Sequence, residues 1–147
     1  MFPEQLEELT AGVANVALFV TSDERIYVYS KIFGRKNGRN VESVSLTAGS
    51  DIIVGPEATI AFTDSVELVS QIGDMLILEG SSLRTGTGGQ NNHILLKALE
   101  GEVDVHSVSD NQTTVISDRF EIAASCSHVD DSAAVHAAKT VIPHHCF

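Results

Sequence analysis

Tryptophan is absent from this 147-residue chain, aromatic residues make up only 5% of it, and 9 basic side chains stand against 20 acidic ones. The resulting formal charge of −11 argues against broad contact with nucleic acid or an anionic membrane, because phosphate binding needs a positive field. We therefore expect neither as a partner. No stretch approaches 18 uninterrupted apolar residues, so no transmembrane helix is expected. Met1 is followed by Phe2, Pro3 and Glu4 rather than by a positive segment and a long apolar run, so no signal peptide is expected and the chain reads as soluble. Two cysteines, Cys126 and Cys146, are too few for a framework that fixes a redox compartment.

Catalytic signatures are missing as well. The glycine-rich segment 80–92 carries no Gly-Lys-Ser/Thr ending, which excludes a nucleotide loop of that type. Cys126 has no motif that places its thiol on a helix start beside a histidine base. His93 and His106 stand alone on successive β-like segments, which does not specify a reaction. The reading leans away from an enzyme. A small metal-dependent β-barrel enzyme is kept as an alternative, and no cofactor is expected.

The hydrophobic fraction of 43% is enough for one core at this length, where folding buries roughly 70% of the extended-chain surface. Residues 41–79 organise the chain. They hold no Lys or Arg and consist of short apolar runs separated by Gly, Pro, Asp and Ser. Ala58, Ile60 and Phe62 alternate with Thr59, Ala61 and Thr63, the period-two pattern of a strand with one buried face. Ile26, Val28 and Ile32 alternate in the same way with Tyr27, Tyr29, Lys31 and Phe33. Short strands spaced by turn signals predict a mainly β fold: an antiparallel β-sandwich or barrel, a jelly roll among the arrangements admitted, with short terminal helical segments. The expected organisation is a short N-terminal helix or arm over residues 1–12, an antiparallel β-domain over 13–125, and a C-terminal helical turn and tail over 126–147. That tail is expected to pack on the domain or on a neighbouring subunit. Pro3 suits a first helical position, and Asp130 or Asp131 suits the cap of a helix through residues 132–139.

Three groups of residues are candidate sites. Tyr27 and Tyr29, with Arg35, Lys36 and Arg39 of the loop around Asn37-Gly38, and Phe147 at the end of the chain, form the expected interface, since tyrosine is enriched in interfaces. Arg84, Gln90, Asn91 and Asn92 of the polar loop are the expected ligand-binding donors of a carbohydrate- or small-ligand-binding module. Cys126, His128, His144 and Cys146 have the donor chemistry of a zinc site. The alternatives there are a disulfide between the cysteines or a packed tail without metal, and the last is the expectation. The leading functional expectation is a structural or assembly protein that forms homo-oligomers or decorates a larger particle, such as a virion, tail or shell component. The carbohydrate- or small-ligand-binding module is the alternative.

Overall fold

The structure, a computed structural model, describes residues 16–36, 39–89 and 91–143. It is a parallel β-solenoid. Fifteen strands run in chain order. A first, long wall contains β1 (Val16–Ser22), β5 (Arg39–Ala48), β8 (Ser65–Ser70) and β11 (His93–Ala98). The second wall stacks β2 (Ile26–Val28), β6 (Ile52–Val54), β9 (Met75–Ile77), β12 (Val103–Val105) and β14 (Ser127–Val129), one strand from each of five coils. The third wall holds β3 (Lys31–Phe33), β7 (Thr59–Ala61) and β10 (Ser82–Arg84). β13 (Thr114–Ala123) and β15 (Ala134–Val141) are long enough to belong to two walls. The start of β13 pairs with β10 and its end pairs with β11.

This corrects the antiparallel sandwich or barrel expected from the sequence. Every pairing between coils is parallel, and a strand pairs with its counterpart one coil later. The one antiparallel ladder among the described residues joins β4 (Arg35–Lys36) to the start of β5; the turn expected at Asn37-Gly38 lies outside them. The expected C-terminal helix is corrected too, because its residues form β15, hydrogen-bonded in register along β13. No helix occurs among the described residues. The N-terminal segment 1–12 lies outside them.

The alternation itself is real, and it explains the error. Parallel sheets are usually covered on both faces, so their strands read as continuous apolar runs, whereas one-sided alternation is read as antiparallel. A solenoid breaks that association: its sheets are parallel, yet one face points inward and the other outward. Successive coils then place like residues on top of one another. Leu18, Val44, Val66, Ile94 and Phe120 form one inward ladder. Ile26, Ile52, Met75 and Val103 form a second on the second wall. Ile32, Ile60, Leu83, Val115 and Val135 form a third. Nearly all of these side chains are buried. In the unbroken apolar run 75–78 the inward pair is Met75 and Ile77, and Leu76 and Leu78 are only partly buried.

The corner between the first and second walls is built the same way in three coils. Gly49, Gly73 and Gly101 each precede an acidic residue and an apolar strand. Asp51 Oδ1 accepts the Asp74 amide at 2.8 Å, and Asp74 Oδ1 accepts the Glu102 amide at 3.0 Å. Arg25 closes the first coil onto Asp51 at 3.3 Å. Each carboxylate therefore satisfies a backbone donor of the next coil, which a tight corner would otherwise leave unpaired.

At the far corner of the second wall, Asp130 does similar work. Its Oδ2 accepts the Ser107 amide at 2.9 Å, and its Oδ1 lies 2.7 Å from His128 Nε2. The Ser107 amide is the main influence holding the Asp130 carboxyl below its ordinary value of 3.8. Desolvation opposes it, and the hydrogen bond and charge of His128, then the charge of His106, assist it. A carboxyl whose folded pKa is depressed contributes stability that is present above its unfolded pKa and is lost as pH falls through the folded value. Asp130→Asn is therefore expected to lower the unfolding free energy at neutral pH. Its deficit relative to the parent should close as pH falls below 3.8, as read from urea melts at a series of pH values. A deficit independent of pH would show that the charge on Asp130 plays no part.

Candidate functional site

Outward side chains form rows along the solenoid, one residue per coil and about 4.8 Å apart. On the long wall one row is Ala17, Ser43, Ser65, His93, Arg119 and Lys139. The neighbouring row is Phe19, Ser45, Glu67, Leu95, Glu121 and Val141. Small residues, Ala17, Ser43 and Ser65 in the first row and Ser45 in the second, leave a shallow channel. One depression of about 280 Å³ runs from Ala17 and Phe19 across Ser43, Ser65 and Glu67 to His93. A second, of about 370 Å³, continues from His93 across Leu95, Arg119 and Glu121, with Asn91 and Asn92 on its flank. His93 lines both, so the two depressions succeed one another along the grooved face of the wall.

Asn91 and Asn92 on that flank end the polar loop, whose described residues are held at several points. The Gly86 amide donates to Thr63 O at 2.9 Å, and the Gly88 amide donates to Asp118 Oδ1 at 2.6 Å. The Thr85 and Ser117 hydroxyls share a buried hydrogen bond of 2.7 Å. Asn92 O accepts the Arg119 amide at 3.1 Å, which ties the loop end to the next coil. Inside the groove, Arg119 Nη2 lies 2.7 Å from Glu121 Oε1, and His93 Nδ1 lies 3.4 Å from Asn91 O. The floor thus offers cationic donors, carboxylate acceptors and an apolar patch at Leu95, with an aromatic ring, Phe19, at one end.

Of the ligand-binding residues expected from the sequence, Asn91 and Asn92 lie at this groove. Arg84 does not: it points outward from the third wall, its Nε 2.6 Å from Ser82 Oγ, beside a separate depression lined by Phe33 and Arg35. Gln90 lies outside the described residues. His93, Arg119, Glu121 and Glu67 were not singled out as ligand donors from the sequence. Their common signal is an outward position at the same register of successive coils, and that becomes legible once the pairing is known.

The expected interface residues sit on the first coil. Tyr27 and Tyr29 are on its outer surface with ring centroids 5.7 Å apart, and Arg35 is exposed close by. Lys36 and Arg39 pair through their backbones in the β4–β5 ladder, and Phe147 lies outside the described residues. The first coil also carries Phe19 and Phe33. Exposure is 75% for Phe19, 42% for Tyr27, 49% for Tyr29 and 45% for Phe33, whereas Phe62 and Phe120 on later coils are buried. Every exposed aromatic ring among the described residues therefore belongs to one coil. That coil and its hairpin also carry Arg25, Lys31, Arg35, Lys36 and Arg39, five of the nine basic residues.

Of the four candidate metal donors, His144 and Cys146 lie outside the described residues. His128 is engaged with Asp130. Cys126 is disulfide-bonded, which corrects the expected unbridged tail in favour of the disulfide alternative; its Sγ lies 3.5 Å from Glu102 Oε2, a packing contact, since a disulfide sulfur carries no proton to donate. His93 and His106 fall on different walls. No group of three or more metal-ligating side chains converges among the described residues, and no helix among them is long and apolar enough to cross a membrane. Comparison with protein-family models, with curated proteins and with solved structures finds no match to this chain.

Proposed function

We propose that this chain is an assembly protein that docks through its first coil onto further copies of itself, as a building element of a larger particle such as a shell or tail. The observation that carries this reading is the gathering, among the described residues, of every exposed aromatic ring onto one coil that also holds five of the nine basic residues of an acidic chain. Aromatic and arginine side chains supply the anchors of protein interfaces, because they bury large area at low entropic cost. The residues after position 40 carry an excess of acid, so a basic first coil has a complementary surface on another copy.

Sedimentation velocity tests it. The parent protein is expected to self-associate, and Tyr27→Asp combined with Phe33→Asp is expected to leave monomer at the same concentration. Thermal unfolding should change little, since both side chains point outward. A parent chain that stays monomeric at high concentration removes the reading.

A second reading, a carbohydrate-binding module, draws on the groove of the long wall. Hydroxyl-bearing ligands need donors and acceptors placed together over an apolar surface, and Asn91, Asn92, Glu67, Glu121, Leu95 and Phe19 supply that combination along one channel.

A further inference from the structure

The outward row that lines the groove from Ala17 to Arg119, and continues past it to Lys139 on the next coil, changes character along the solenoid. Its first three positions are Ala17, Ser43 and Ser65, and its last three are His93, Arg119 and Lys139. Only nine Lys and Arg residues are present, five of them on the first coil and its hairpin. Of the remaining four, Arg84 is on the third wall and Lys97 is on a different row of the long wall, opposite Val69. The other two stand in adjacent coils of one row, directly after a histidine. Parallel in-register stacking holds these three side chains about 4.8 Å apart in a line along the axis.

Arg119 and Lys139 are like charges stacked at that spacing, and such cross-strand neighbours are usually destabilising. One relief is local: Glu121 lies 2.7 Å from Arg119. A surface pair of this kind contributes little, and a guanidinium has five N–H donors, so the contact with Glu121 leaves Arg119 able to bind a second anion. Anionic groups spaced along a ligand chain would meet the row in turn.

We propose that the groove binds an acidic polysaccharide, with the ligand's carboxylates or sulfates running along His93, Arg119 and Lys139. The inference rests on the groove being a carbohydrate site. The neighbouring row decides between polyanions. Glu121 lies against Arg119, and Glu67 stands in the coil before His93; they would repel the dense phosphates of a nucleic acid but accept hydrogen bonds from sugar hydroxyls. Asn91 and Asn92 add neutral donors on the flank, and Leu95 offers a face for the apolar side of a sugar ring. The overall charge of −11 requires the attraction to be local, and so to weaken as salt shortens its range to about 8 Å or less.

Polygalacturonate and its fully methyl-esterified form test this, because they share a backbone and differ in charge. The full chain is expected to retain the charged polymer at least tenfold more tightly at low salt. Arg119→Ala and Lys139→Ala should each weaken that retention several-fold, whereas Lys31→Ala on the third wall should leave it unchanged. Arg119→Lys, which keeps the charge, should retain most of the binding and guards against a folding artefact. Equal affinity for both polymers, reduced by Asn91→Ala, would leave the carbohydrate reading standing and overturn the cationic row. Failure to bind either polymer, together with failure to bind sulfated dextran, would overturn both. Loss of affinity on Lys31→Ala as large as on Arg119→Ala, or tighter binding of a single-stranded oligonucleotide, would also overturn the proposal.

Discussion

Phe120→Ala is expected to destabilise the chain by about 3–5 kcal/mol, the usual cost of emptying a buried aromatic site. Phe120 is fully buried and is the largest side chain in its ladder, stacked directly on Ile94. The space it leaves is bounded by backbone on parallel strands whose register is shared with the coil before and the coil after. A wall held on both sides has little freedom to collapse inward, which places the cost toward the upper part of that range. In a solenoid each coil contacts mainly its neighbours, so the last coils should loosen first. Hydrogen exchange should show protection lost in β13, β14 and β15 before β5 and β8. Phe19→Ala is the matched control: the same substitution on the outward face should change stability by no more than about 0.5 kcal/mol. Equal losses from the two substitutions in a urea melt would reject the inward and outward assignment of the long wall.

Gly101→Ala is expected to cost about 1–3 kcal/mol through overpacking. A methyl group there would run into the backbone oxygen of Gly73 and the Oδ1 of Asp74, both from the preceding coil. Asp74 Oδ1 is the acceptor of the Glu102 amide, so the added carbon would press on the hydrogen bond that joins the two coils. Combining Gly101→Ala with Asp74→Ala separates the two effects. If part of the strain is against the carboxylate, the double variant will be less destabilised than the sum of the single ones. Strict additivity would assign the whole cost to the backbone contact with Gly73.

These two positions mark how far the sequence could be read. Phe120, Ile122, Ile60 and Phe62 were legible as core because alternation reports which face is buried, and burial does not depend on strand direction. The glycines at 49, 73 and 101, each with an acidic residue one or two positions later and then an apolar strand, carried the repeat. It was obscured because coil length is not constant. Positions 17, 43, 65, 93, 119 and 139 are equivalent, so the repeat runs 26, 22, 28, 26 and 20 residues. Loops of different lengths at the corners absorb the difference, and periodicity methods that look for a fixed interval miss it. The segment 132–139 reads as a capped helix because Ala has high helix propensity and Asp130 is a good cap. It folds as β15 because β13 offers it a complete parallel ladder, and tertiary hydrogen bonding outweighs a propensity of a few tenths of a kcal/mol per residue.

The groove was half legible. Asn91 and Asn92 stood out as polar donors in a glycine-rich loop, and Tyr27 and Tyr29 stood out as outward aromatics on a strand. His93, Arg119 and Lys139 are separated by 26 and 20 residues, and nothing in their local surroundings links them. The amino-acid sequence by itself determined the β character, the inward faces of most strands, the acidic surface and the concentration of aromatic and basic residues near the start of the chain, since each is a property of composition or of local alternation. The direction of pairing, the stacking of coils and the alignment of distant side chains into rows were decided by the tertiary structure alone. They depend on register between strands 20 or more residues apart, and a period-two pattern fits equally well against a parallel or an antiparallel neighbour.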